Sequence, residues 1–222
     1  MIRGARRARL AAWAARHRGR LVLDAPHGAT FDDLPLLRGD GRLMLRLGRG
    51  VDLGRHTILQ VSGDCVLEVG DATAFGQGAR VWLRGGAVHL GARVQVRDVV
   101  VLKSDGELRA GDGVLFGHAA VLGATREIAI GPGTSLGERV SIVDSDHDPA
   151  ATGVAWDRRE LAVEPVRIGA NVLVGANAVV LRGARIGDGA VIGAGAVVRG
   201  GEHAGAWLHA GVPAVARRRL SE

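Results

Sequence analysis

From Ile168 onwards every sixth residue is apolar and β-branched: Ile168, Val174, Val180, Ile186, Ile192 and Val198. Against the chain's 47% apolar background, six matches in one fixed phase arise by chance about one time in a hundred, so the period is a structural signal. Upstream, the same phase recurs in groups of three beginning at Leu47, Val69, Leu90, Ala110 and Ile130, with slack between groups. All 21 lead positions are apolar, and Gly follows 14 of them. Six of the seven exceptions fall in the third hexapeptide of a group: Gln60, Trp82, Lys103, Val143, Leu181 and Arg199; the seventh is Arg97. The asymmetry predicts a three-sided solenoid with two similar edges and one different edge, Gly serving tight corners through its tolerance of positive φ. The slack always follows the third hexapeptide (four, three, two, two, twenty and no residues), so insertions collect at one corner, where a surface loop costs little.

The pattern therefore predicts an N-terminal extension over 1–46, an all-β solenoid of about seven triangular coils over 47–203 with an inserted loop at 147–166, and a tail over 204–222. Within the extension a helix is expected near 5–17, with Leu10, Trp13, Ala14 and His17 on one face, followed by short or irregular strands.

Composition sharpens this. Tyr is absent, Phe occurs three times and Gly 35 times, which suits thin repeated layers better than a globule filled by aromatic bulk. Cys65 is the single cysteine, which excludes an internal disulfide framework and fits a reducing compartment. No stretch is long and apolar enough to span a membrane, and no apolar segment follows the basic N-terminus as in a secretory signal, so a cytoplasmic location is expected. The net charge of +6 is local: residues 1–20 hold seven Arg and no acid, and taking those from 29 leaves 22 basic against 23 acidic residues. A near-neutral body predicts no basic stripe and no nucleic-acid partner. The basic helix is expected to pack on the solenoid or a neighbouring subunit rather than serve a membrane surface.

His147 closes the third hexapeptide of the fifth predicted coil and opens the long insertion. An alcohol is a poor nucleophile at neutral pH, and imidazole is a natural acceptor for its proton. A solvated loop histidine between Asp146 and Asp148 is the plain alternative. His56, His89, His118, His203 and His209 sit at positions that suit solvated or locally hydrogen-bonded roles. Trp156, inside the insertion, suits either stacking on a sugar or anchoring the loop.

With these features the chain resembles the hexapeptide-repeat acyltransferases, nearest the maltose and galactoside O-acetyltransferases and the polysaccharide or xenobiotic acetyltransferases. The resemblance spans about 110–215. It rests on the repeat, on SIVDSDHDP at 141–149, on EPVRIGANVLVGANAVV from 164 and on HAGVPAVARR near the end. It implies a left-handed parallel β-helix, a homotrimer with active sites between prisms, and direct transfer from acetyl-CoA to a hydroxyl of a small-molecule or glycan acceptor, with no metal. It casts His147 as general base, Ala176 and Ala194 as pantetheine contacts, and Arg218 as a partner of the anionic end of the coenzyme, for which Arg199, Arg217 and Arg219 are further candidate cations. Arg199-Gly200, Leu173 and Val215 depart from the family pattern, which leaves the donor pocket and the acyl group open in detail. Two rival readings are a non-catalytic scaffold and a γ-carbonic-anhydrase-like metal site; the absence of a close His pair in the solenoid disfavours the latter.

Stacking adds one expectation beyond the family. Glu127 is the sixth residue one coil before His147, and Glu107 lies one coil further back. A carboxylate on an adjacent rung, about 4.8 Å away, would orient the imidazole. Asp144, Asp146 or a backbone carbonyl are the alternatives.

Overall fold

In this computed structural model, residues 2–26, 29–31, 33–147, 149–150 and 152–220 are described, with side chains from Arg9 onwards. Alternating apolar positions stack rung on rung into three sheets of nine, ten and eight strands, all parallel except the antiparallel last strand of the second, Val215–Arg219. The first sheet begins with Leu21–Asp24 and ends with Gly201–His203; the second runs from Thr30–Phe31 to Trp207–Ala210, and the third from Leu36–Gly39 to Val197–Val198. All 21 lead residues point inward and are buried. Ladders such as Leu45, Leu67, Val88, Leu108 and Ile128 run the length of the first sheet, each fully buried. A large aliphatic side chain buried this way contributes about 1.5–3 kcal/mol, so the core is a column rather than a centre.

The solenoid has about nine turns, not seven. The extra first coil comes from 21–39, where Phe31 and Leu37 hold lead positions but no Gly follows them; the extra last one begins at 201, where His203 and His209 occupy lead positions. The N-terminal helix spans Ile2–Arg16 and closes one end, burying Leu10 and Trp13 and setting Trp13 edge-on to His17. The side chains of Arg3, Arg6 and Arg7 lie outside the described residues. At the other end Val215–Arg219 folds back antiparallel onto Trp207–Ala210, and its three arginines guard the exposed edge.

Tolerance of positive φ is not what places glycine after the lead residues. Positive φ falls three residues after a lead, where His56, Ala72, Arg93, Asn171 and Asn177 adopt it as well as Gly50 and Gly78. Gly directly after a lead answers a different constraint. A Cβ on Gly70 would lie 2.5 Å from the Gly91 carbonyl carbon, and one on Gly175 would lie 2.5 Å from the Ala194 nitrogen. Close approach of successive coils, not backbone handedness, excludes a side chain there.

Candidate active site

The long insertion leaves the corner between the third and first sheets, where the shorter ones also fall. It departs at Asp144, directly after the strand Ser141–Val143. Residues Ser145–His147 and Leu161–Val163 pair antiparallel, Ser145 opposite Val163 and His147 opposite Leu161, so the insertion is a built ribbon with a 3-10 turn at Trp156–Arg158. Asp148 and Ala151 lie outside the described residues.

Three groups anchor the ribbon. Asp144 continues the inward column of Leu83, Ser104 and Ala124 and is fully buried. Its carboxylate accepts the backbone N–H groups of Thr125, Arg126 and Glu127, each at 2.7 Å. The hydroxyls of Thr125 and Ser145 lie 2.8 Å apart. From the next coil, Arg182 donates to Asp146 at 2.7 Å and to Glu164, so one guanidinium clasps both sides of the ribbon base. The hydrogen bond to Asp146 leads the causes that raise its pKa above the ordinary arginine value.

His147 is exposed on this base. Its Nδ1 lies 3.1 Å from the Arg159 carbonyl oxygen on the facing side. A carbonyl only accepts, so Nδ1 carries the hydrogen and the neutral ring keeps its lone pair on Nε2. The Trp156 ring stands edge-on at 5.8 Å between centroids, and Arg159 Nε donates to the Val154 carbonyl at 3.0 Å, bracing the turn that supplies the orienting oxygen. Trp156 remains 71% exposed, which leaves its ring available to a ligand or a subunit contact.

Glu127 does not take the role expected of it. Glu107 and Glu127 do stack on adjacent rungs, but the first-sheet ladder continues from Ile128 to Val166, so the rung after Glu127 falls at residue 165. Its carboxylate accepts from Arg167 at 2.8 Å. The cause is the point of departure: the chain has already left the coil at Asp144, and His147 rides on the ribbon.

Ala176 and Ala194 lie one above the other at the corner between the second and third sheets, the first half-buried, the second exposed. The Ala176 carbonyl accepts from Gly195 N at 2.8 Å. Arg199 is exposed, its carbonyl meeting His203 Nε2 at 2.9 Å, and Arg218 is exposed on the edge strand opposite Leu208. Within one chain, then, the alanine corner and the His147 corner bound opposite edges of the third sheet and are not brought together. Among the other histidines, His89 contacts Glu68 at 2.8 Å, His118 faces Asp98 and His56 faces Asp33. His209 is buried, with Nε2 2.9 Å from the Ala204 carbonyl. Among the described residues no group of three or more His, Cys, Asp or Glu is placed to hold a metal.

Residues 165–200 match the family model described as bacterial transferase hexapeptide (six repeats). That segment is a hexapeptide repeat. The solenoid is similar to the polysialic acid O-acetyltransferase OatWY, at 14% identity and TM-score 0.61, over 90% of this chain and 85% of that one. It is also similar to a variant of AntD, an N-acyltransferase from Bacillus cereus in complex with dTDP and coenzyme A, at 16% identity and TM-score 0.60, over 69% and 83% of the two chains. The polySia-specific acetyltransferase NeuO aligns at 16% identity and TM-score 0.55, over 91% and 88%. At these identities the likeness establishes the fold. No curated protein sequence matches this chain.

The sequence offered a backbone carbonyl and Asp144 as alternative partners of His147; a carbonyl takes that place, and Asp144 instead caps three backbone N–H groups. Its inward parity two residues after Ile142 was the signal for that burial, whereas nothing in the sequence marked Arg182 or which carbonyl would serve.

Proposed function

We propose that this protein is an acyl-CoA-dependent O-acyltransferase, most simply an acetyltransferase, acting on a hydroxyl of a sugar or glycosylated small molecule. The observation that carries the reading is the state of His147: an exposed imidazole whose Nδ1–H is committed to a backbone carbonyl, leaving Nε2 as the base. Nε2 takes the proton of the acceptor hydroxyl as that oxygen attacks the thioester carbonyl. The imidazolium then returns the proton to the departing thiolate, so the histidine ends as it began. No cysteine intermediate is required, since Cys65 is buried in the core.

Ala176 and Ala194 present small side chains and open backbone to an extended pantetheine arm, and Arg199 and Arg218 are cations suited to its phosphates. Because these groups and His147 sit on opposite edges of the third sheet, a second copy of the chain would complete each site. A C3 homotrimer of left-handed prisms is part of the proposal, supported by the family resemblance. Coenzyme A bound in the AntD structure and the polysialic acid named for OatWY and NeuO support the same substrate classes here. No described helix is long and apolar enough to cross a membrane.

A coenzyme A thioester assay against a panel of sugars tests the reading. His147→Ala is expected to lower turnover about 10²–10⁴-fold with CoA affinity nearly unchanged. A variant that keeps most of its activity would remove the histidine from the mechanism.

A further inference from the structure

Charge on this solenoid is segregated by face. On the first sheet, outward cations meet acids: Arg109 pairs with Glu107, Arg167 with Glu127 and Arg185 with Glu202. The third sheet has no acid in any of its strands. Its outward column runs Arg38, Gln60, Trp82, Lys103, Gly123 and Val143, one residue per rung. Arg80 stands beside Trp82 on the same face; Arg84 is turned to Asp105 at the corner, 2.6 Å away. Trp82 is 40% exposed, and the ammonium of Lys103 lies 5.7 Å from its ring centroid. Lys103 is the chain's only lysine.

Gly123 completes the feature. Most glycines that follow a lead residue are imposed by the next coil, but a Cβ on Gly123 would meet nothing nearer than a Val143 methyl at 3.8 Å, an ordinary contact. The fold does not require glycine here. Its effect is a notch between Lys103 and Val143, on the path from Trp82 to the ribbon that carries His147, about 14 Å over three rungs.

From this we infer that the outer face of the third sheet is a binding subsite for an acidic saccharide, a carboxylate- or sulfate-bearing sugar chain. A sugar ring packs on exposed Trp82, its anionic group is held by Lys103 and Arg80, and the chain crosses the Gly123 notch toward His147. The inference rests on the acyltransferase reading only in taking this saccharide as the acceptor.

Calorimetric titration of the full chain without any acyl donor tests it, with hexagalacturonate as probe and maltohexaose and hexathymidylate as comparisons. Hexagalacturonate should bind at least tenfold more tightly than either, and the affinity should fall with salt. Trp82→Ala should weaken it roughly tenfold and Lys103→Met a few-fold. Gly123→Val should weaken it while leaving the melting temperature unchanged or raised, because a β-branched residue favours a strand. Failure of the wild type to bind, equal binding of maltohexaose, tighter binding of hexathymidylate, or unaffected variants would each overturn the proposal. So would a fall in light-scattering mass on Trp82→Ala, which would make this face a subunit contact. His147→Ala should bind hexagalacturonate as wild type does, so loss of acyl transfer and loss of this subsite are read separately.

Discussion

Replacing Asp144 by Asn keeps the size of the side chain and removes one acceptor oxygen and the charge. In the native corner the carboxylate serves three backbone N–H groups at 2.7 Å from a fully buried position. The amide oxygen of Asn can retain at most two of them and turns its own NH2 toward the third. A stranded buried donor costs about 1–3 kcal/mol, and the charge-assisted bonds lost are the stronger kind. Arg126 is exposed, so water relieves part of this, and a net loss of about 2–4 kcal/mol is expected. Each coil touches only its neighbours, so the loss stays local and native-state hydrogen exchange reads it best. The amides of Thr125, Arg126 and Glu127 should exchange roughly 30- to 1000-fold faster, at about 1.4 kcal/mol per factor of ten. Asp112→Asn is the matched control: that exposed carboxylate accepts one backbone N–H, from Ala92 at 2.9 Å, beside a long contact to the Arg93 guanidinium at 3.4 Å, and should move its amide little. Because Asp144 also sets where the ribbon departs, turnover should fall with the protection. Wild-type exchange at all three amides in the Asp144 variant would refute the argument.

Two further outcomes follow from the same kind of reasoning. Ser104 Oγ is buried with no hydrogen-bond partner, so Ser104→Ala should stabilise by about 1 kcal/mol, raising the melting temperature about 2 °C in a chain of this length; a lowered melting temperature would show that the hydroxyl is satisfied. The Glu68 carboxyl is held below the usual carboxylate range, first by its hydrogen bond with His89 and then by Arg46. A depressed carboxyl contributes stability above its unfolded pKa that is lost as pH falls through the folded one, so the urea-midpoint gap between wild type and Glu68→Gln should be flat near neutrality and close on acidification; a gap that persists unchanged to about pH 3 would contradict it.

Much of the fold was legible because the repeat writes its core once per six residues. Every lead position identified from the sequence is buried, and the slack between groups does fall at one corner. The two coils that escaped are those where the code changes. Phe31 and Leu37 stack on the leads Leu53 and Leu59 but are followed by Asp32 and Arg38 instead of Gly, and His203 and His209 put imidazoles where the repeat has Ile or Val. Both belong to the ends, where a coil has a neighbour on one side only and the helix or the folded-back tail replaces the missing layer.

The site divides along a similar line. His147 was visible because it opens the long insertion, but its partner was not, since a carbonyl twelve positions away on the facing side of a ribbon leaves no mark in residue identity. Glu127 was misplaced because stacking arithmetic depends on where the insertion begins, and Asp144, by turning inward, moves that point three residues earlier. The basic face was invisible to net charge for a third reason: only the parity of the third-sheet strands separates Arg38, Arg80 and Lys103 from the acids that neutralise them in sum. Gly123 shows how far parity carries. After a lead in the first or second hexapeptide, Arg97 apart, glycine is held by the close approach of the next coil. In the third hexapeptide the side chain points outward from a longer strand, and Gln60, Trp82, Lys103 and Val143 show that bulk is accepted there. A glycine where packing permits any residue is unconstrained by the fold, and what it leaves open is space beside the only lysine and an exposed tryptophan.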